Sequence, residues 1–359
     1  MNKIIFASGC YTEKSVNIPG ACGEGIVLLT FEEETGVLSK LTVTGGVTNP
    51  SYLDWDGDLQ KLYAITENPR GEGEVRSFTL ESNFTLTLGS LQTGPGPAGC
   101  HIRAVKDMER IFAASYRGGC LKSYGLEEGD VGKSIKSFEY SGSGPNAVRQ
   151  ESPHAHQVLP GTDKKHIYVC DLGSDKVWIH DAADDELPVV SSLSVPPGYG
   201  PRHLAFDPEG KSVYILCELV PRLLVARLNR NDGSLTLEQD LPSVGDNSPG
   251  GAAPAAVKVH PSGRSLVVSN RFDDTVTVFC IHRNGKDGSV SLEAFDTFST
   301  RGKVPRDICF SPSGKWLLMA HQDSDDVQIR AFDPATGLPG EKWAEPLNLG
   351  SPVCLITLV

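Results

Sequence analysis

The sequence predicts an all-β fold built from seven repeated units, and three observations carry that prediction. A proline-headed segment recurs along the 359 residues, at Pro50, Pro97, Pro153, Pro201, Pro254, Pro305 and Pro352. The steps between these prolines are 47, 56, 48, 53, 51 and 47 residues, close to one period. Each unit carries short apolar runs separated by turn chemistry, and no long stretch keeps a helical 3.6-residue period. The 38 Gly and 24 Pro supply turn formers without approaching a low-complexity composition.

Taken in order, the N-terminal run at residues 4–6 is a short apolar strand, too brief for the apolar core of a secretory signal. Residues 25–31 form a second strand. In each unit a strand follows the proline, as at residues 203–206, 256–259 and 307–310. Proline is tolerated at a strand's first residue, where no ladder donor is lost. A polar turn comes next: Asp207-Pro208-Glu209-Gly210, Pro261-Ser262-Gly263 and Pro312-Ser313-Gly314. Second strands follow at residues 213–216, 265–268 and 316–319, and third strands at 176–179 and 275–279. About four strands per ~50-residue period describe a β-propeller blade. The last unit stops after one strand, so the N-terminal strands are expected to complete its blade and close the ring, removing an exposed sheet edge. The expectation is a single domain over 1–359, a seven-bladed β-propeller with almost no helix. A six-bladed ring with one stray unit is the competing arrangement.

Composition excludes several roles. With 45 acidic against 33 basic residues the net charge is -12, a poor match for a nucleic-acid backbone. No run of 18 apolar residues exists, so no helical membrane span is expected. Nine cysteines lie at scattered spacings with no zinc pattern. They read as buried thiols in a reducing cytoplasm, with no metal and no cofactor expected. Gly94-Pro95-Gly96-Pro97-Ala98-Gly99 fits a dinucleotide-binding spacing, but two prolines occupy it and a β unit follows. GxSxG, HExxH, Walker A and EF-hand patterns are missing. Trp55-Asp56 occurs once and on the wrong strand for a repeat signature. Asn83-Phe84-Thr85 matters only on a secretory route. Acidic residues 181–186 and 323–326 read as outer turns.

A repeat serves as its own control, because a position that departs from its counterparts needs a reason. Third after each proline stand Leu53, Cys100, His156, Leu204, Val257, Ile308 and Leu355, so His156 stands apart. Directly after the prolines, His154, Arg202 and Arg306 contrast with Ser51, Ala98, Ala255 and Val353. At the ends of the second strands, one column reads Glu67, Tyr116, Leu172, Glu218, Asn270 and His321. The next reads Asn68, Arg117, Gly173, Leu219, Arg271 and Gln322. In an antiparallel hairpin the start of the first strand and the end of the second share an edge. These groups therefore gather at one mouth of the central channel, the concave place for a ligand. The columns hold Arg, His, Glu, Asn and Tyr but no Lys. Arginine offers a planar fork for carboxylate or phosphate, so a small anionic ligand is expected.

The segments PHAHQV from Pro153, GPRHLAFDPEGKSVYILCEL from Gly200, APAAVKVHPSGRSLVVSNR from Ala253 and VPRDICFSPSGKWLLMAHQDSDDV from Val304 resemble the seven-bladed propeller lactonases. That group includes propeller-type 6-phosphogluconolactonases and a carboxymuconate-lactonising enzyme. The likeness runs from ASGCYT at Ala7 to Pro352; the second unit is irregular. It implies that a His, two Arg and a Glu act at the channel, and by motif these fall on His156, Arg202, Glu218 and Arg271. His154, Glu67, Asn270, Arg306 and His321 are the candidate substrate-binding groups around them. The resemblance implies hydrolysis of a sugar-acid lactone, 6-phosphogluconolactone to 6-phosphogluconate, with a small anionic sugar lactone or carboxylate as partner and neither nucleic acid nor membrane. Ring opening needs a base for water, for which Glu218 and His156 both qualify. It also needs cations for the oxyanion or a phosphate, for which Arg202 and Arg271 both qualify. Muconate-type cycloisomerisation is the related alternative. A non-catalytic propeller scaffold is the distant one, expected to show large exposed apolar patches that an aromatic content of 7% does not favour.

Overall fold

A computed structural model describes residues 3–16, 18–284 and 289–358, so residues 1–2, 17, 285–288 and 359 of the expected domain lie outside the described residues. Seven inner strands set the architecture: Pro50–Asp56, Gly99–Val105, Ala155–Pro160, Pro201–Phe206, Ala253–Val259, Pro305–Phe310 and Pro352–Thr357. Each touches its counterpart in the two neighbouring units, and the ring closes between the last and the first. Antiparallel strands stack outward from every inner strand, giving seven sheets. The fold is therefore the seven-bladed β-propeller of the sequence reading, and the six-bladed arrangement is excluded. The C-terminal strand Pro352–Thr357 pairs with Ile4–Cys10, and Ile26–Glu32 and Val37–Thr44 complete that blade. The sixth blade gains a short fifth strand, Leu347–Asn348. Among the described residues the one helical element is a three-residue 3-10 turn, Lys106–Met108.

The core lies between blades. Tyr168, Val177 and Ile179 of the third blade pack against Leu204, Val213 and Ile215 of the fourth. Second strands are sealed on both faces, as in Ser212–Cys217, where every residue is buried. Outer strands such as Val189–Ser194 are mostly exposed.

One irregularity repeats in all seven blades and builds the mouth. At the start of every inner strand the ladder slips, between Pro50 and Tyr52, Gly99 and His101, Ala155 and Gln157, Pro201 and His203, Pro254 and Val257, and Pro305 and Asp307, and beside Pro352. A β-bulge leaves one residue out of the pairing and re-aims its side chain. The bulged residues are Ser51, Cys100, His156, Arg202, Arg306 and Val353, with Ala255 in the fifth blade.

This register corrects two alignments made from the prolines. Gly99 and Ala155 pair where Pro50 and Pro201 do, so Pro97 and Pro153 sit two residues further upstream, in the preceding loop. His156 is thus the counterpart of Arg202 and Arg306, not of Leu53 and Leu204. Likewise Asn270 and His321 pair with Pro254 and Pro305, as Thr66 and Cys217 pair with Pro50 and Pro201. The column after the second strands is therefore Tyr11, Glu67, Tyr116, Leu172, Glu218, Arg271 and Gln322. A slip of one residue in a strand moves a side chain to the opposite face.

Candidate functional site

The bulge ring and the strand-end ring together wall a cavity of about 810 Å³ at one mouth of the channel. At its base Glu218, only 5% exposed, is ringed by three guanidiniums. Arg202 Nε donates to Glu218 Oε2 at 2.9 Å, and Arg271 Nη2 lies 2.8 Å from the same oxygen. Arg149 Nη2 donates to Oε1 at 2.5 Å. Arg202 and Arg271 are themselves tied down by backbone carbonyls, those of Ala255 and Ala253. Burial alone would raise the Glu218 carboxyl, but Arg271, Arg202 and Arg149 overrule it and hold the group well below the usual carboxylate range. A carboxylate so held is a weak base.

His156 shares the direction of the shift but not the surroundings. Burial first, and then the charge of Arg202, hold its imidazole well below the ordinary histidine value, so it too is a weaker base than usual; it is neutral at physiological pH, and unlike the Glu218 oxygens its ring is not taken up by a guanidinium. Its ring lies edge-on to Tyr116 at 5.7 Å and to His203 at 5.3 Å. Nδ1 is sealed without a hydrogen-bond partner, so the ring meets the cavity by its other edge. Tyr116 stacks flat on His154 at 4.3 Å, and its hydroxyl accepts from Arg149 at 3.1 Å. His154 Nδ1 lies 2.8 Å from the Tyr116 carbonyl. Across the cavity, Tyr11 donates to Glu67 Oε2 at 2.5 Å, and Arg306 Nη2 stands 4.0 Å from that oxygen. Cys100 reaches the Ala155 and His156 carbonyls through its sulfur. Burial pushes its thiol upward, so it offers no thiolate nucleophile. Among the described residues no group of three or more His, Cys, Asp or Glu side chains could hold a metal ion.

The structure thus brings together His154, His156, Arg202, Glu218 and Arg271, with Glu67 and Arg306 opposite. It does not bring Asn270 or His321 to the cavity. Both are fully buried between strands. Asn270 donates to the Ser243 carbonyl at 2.9 Å, and His321 Nδ1 lies 3.0 Å from Asp326. Sequence reasoning missed Tyr11 and Arg149. Tyr11 follows the N-terminal strand just as Glu67 follows its own, and aligning Cys10 with Thr66 would have found it. Arg149 lies outside the repeat, but 56 residues separate Pro97 from Pro153, the longest of the steps, and the surplus is the loop that carries Arg149 over the mouth.

The profile of the family described as "Lactonase, 7-bladed beta-propeller" matches residues 6–357. A protein named 6-phosphogluconolactonase from Bacillus subtilis is 28% identical over 339 residues, covering 94% of this chain and 93% of its own. Among solved structures, a periplasmic gluconolactonase from Pseudomonas aeruginosa superposes with a TM-score of 0.89 at 26% identity, covering 100% of this chain and 99% of its own. A putative 6-phosphogluconolactonase from Bacteroides fragilis gives 0.87 at 27% identity, covering 99% and 98%.

Proposed function

Since the chain belongs to the seven-bladed β-propeller lactonase family, we propose that it hydrolyses a sugar-acid lactone bearing an anionic group, with 6-phosphogluconolactone as substrate and 6-phosphogluconate as product. The observation that carries this reading is the three-guanidinium cluster on Glu218 beside a buried neutral His156. Relatives named 6-phosphogluconolactonase support the choice of substrate. In this reading His156 takes a proton from water as its oxygen attacks the lactone carbonyl carbon. Guanidinium charge faces the oxyanion that forms, a contribution of about 3–4 kcal/mol per well-placed donor. The ring C–O bond then breaks, and the departing ring oxygen takes the proton from the imidazolium to become a hydroxyl. Arg149 and Arg271, nearer the opening than Arg202, hold the substrate's anionic group. Glu218 keeps the three cations from repelling one another and fixes their orientation, so its part is positioning. All nine cysteines are free thiols, which suits the reducing cytoplasm we propose as the site of action.

The test is a hydrolysis panel of phosphorylated and unphosphorylated sugar lactones, with carboxymuconate cyclisation assayed alongside. Fastest turnover is expected on 6-phosphogluconolactone. Preferential turnover of an unphosphorylated lactone would move the substrate assignment. Cyclisation of carboxymuconate, with no lactone opened above its spontaneous rate, would overturn the hydrolase reading.

A further inference from the structure

The turn after Arg271 carries an aromatic ring that the blade does not require. Phe272 has φ +68°, a left-handed conformation that bulky residues seldom adopt. Its counterparts in the other blades, Thr12, Asn68, Arg117, Gly173, Leu219 and Asp323, all have ordinary backbone and differ widely in type. So neither the turn nor the repeat calls for phenylalanine or for the strain. The residue is also 63% exposed, so it contributes little to the core. Strain at a position that nothing structural demands is a mark of function. Phe272 lines the cavity, and its ring centroid is 6.0 Å from the Arg271 guanidinium. That guanidinium in turn touches Glu218. Any ligand seated on the cluster therefore comes within reach of the ring face. Arg149 of the same cluster also has an apolar neighbour in sequence at the cavity wall: Val148, which is 83% exposed.

We propose that Phe272 is a specificity residue, a platform on which the C–H face of the sugar ring stacks while Arg271 and Arg149 hold the anionic group. This rests on the cavity being the lactone site and adds what it selects: an anion attached to a ring with an apolar face, not an anion alone. Stacking on an aromatic face gives a modest, geometry-dependent gain, which corresponds to about 3- to 10-fold in affinity. Inorganic phosphate has no such face and gains nothing from the ring.

The experiment titrates 6-phosphogluconate and inorganic phosphate calorimetrically into wild type and Phe272→Ala, and measures KM and kcat on the lactone. Phe272→Ala is expected to weaken 6-phosphogluconate about 3- to 10-fold, leave phosphate unchanged, and raise KM with kcat held. Phe272→Gly, free to adopt the positive φ, is expected to melt roughly 1–2 °C higher than wild type while losing the same affinity. Equal affinities for 6-phosphogluconate in wild type and Phe272→Ala overturn the platform and leave the anion site standing. Loss of phosphate and 6-phosphogluconate binding together makes Phe272 a general support of Arg271 and overturns its selective role. A lower melting temperature in Phe272→Gly makes the ring structural and overturns the proposal. If wild type binds neither probe, the site reading fails and this inference fails with it.

Discussion

Glu218 and Glu67 occupy the same position in two blades, directly after the second strand, yet their surroundings differ. Glu218 has Arg202 as the bulged residue of its own blade and Arg271 as the strand-end residue of the next, and the long second-unit loop adds Arg149. Glu67 has Ser51 in the first of those places, and that hydroxyl turns away to the Gly99 carbonyl at 3.0 Å. Tyr116 stands in the second place, and the hydroxyl that Glu67 binds comes instead from the preceding blade, from Tyr11; its nearest cation is Arg306 at 4.0 Å. The blade fixes where a carboxylate stands; two neighbouring ring positions decide what it can do. One becomes a clamped anion that organises three cations. The other keeps oxygen lone pairs available beside a hydroxyl donor, a setting suited to sugar hydroxyls.

The largest expected effect comes from asking which group acts as base if the clamped carboxylate does not. His156→Asn should lower kcat/KM by about 10²–10⁴-fold, the usual span for losing a general base. The pH profile carries the same information. Burial and then Arg202 depress the His156 value, so the imidazole stays neutral and competent as pH falls to about 6.5, the value of an unperturbed histidine. Activity should be flat down to there and fall only below it. An acid limb at or above pH 6.5 in kcat/KM would remove His156 from the role.

The comparison itself is tested by deleting each carboxylate. Glu218→Ala leaves three guanidiniums facing one another without a counter-charge, and breaking a buried ion cluster costs about 3–5 kcal/mol. Glu67→Ala loses one hydroxyl hydrogen bond and a distant cation, a cost of about 1–2 kcal/mol. Urea unfolding with unchanged m-values gives both numbers. Equal losses would mean that the ring neighbours do not set the difference.

Much of this was legible in the sequence. Seven proline-headed units gave the blade number, and a final unit of one strand gave the closure through Ile4–Cys10. Histidine, arginine and glutamate gathered at strand ends pointed to the mouth. What the sequence hid was phase. Proline marks the chain before an inner strand but not at a fixed offset, so Pro97 and Pro153 misplace their units by two residues. An extra bulge residue in every inner strand is equally silent, because it leaves the apolar alternation beyond it intact. Arg149 was hidden for another reason: it belongs to a loop with no counterpart in the repeat.

Arg271→Lys is next in size. Lysine keeps the charge but loses the fork that reaches Glu218 and the Ala253 carbonyl together. A charge-assisted contact is worth about 1.5–3 kcal/mol, so kcat/KM should fall roughly 10- to 150-fold. Were Arg271 an exposed rim residue, its replacement would leave stability untouched. Its burial changes that expectation to a loss of about 1 kcal/mol, the net worth of one hydrogen bond. Wild-type activity in this variant would separate Arg271 from the reaction.

The smallest effect on catalysis should come from the residue next door. Asn270 precedes Arg271 by one position, so in a strand its side chain lies on the opposite face. Its amide donates to the Ser243 carbonyl, with the Thr275 and Thr277 hydroxyls close by, and none of its surface reaches the cavity. Asn270→Ala removes that buried donor and strands the Ser243 acceptor, so stability should fall by about 1–3 kcal/mol. At a temperature where the variant is fully folded, kcat and KM should match wild type. Neighbouring residues would then divide cleanly, one lowering stability without activity and the other chiefly activity. If Asn270→Ala instead lowers kcat/KM as far as Arg271→Lys does, in protein that unfolds at the wild-type urea midpoint, the strand is a residue out of phase with the register described above. The mouth would then belong to the column that contains Asn270 and His321.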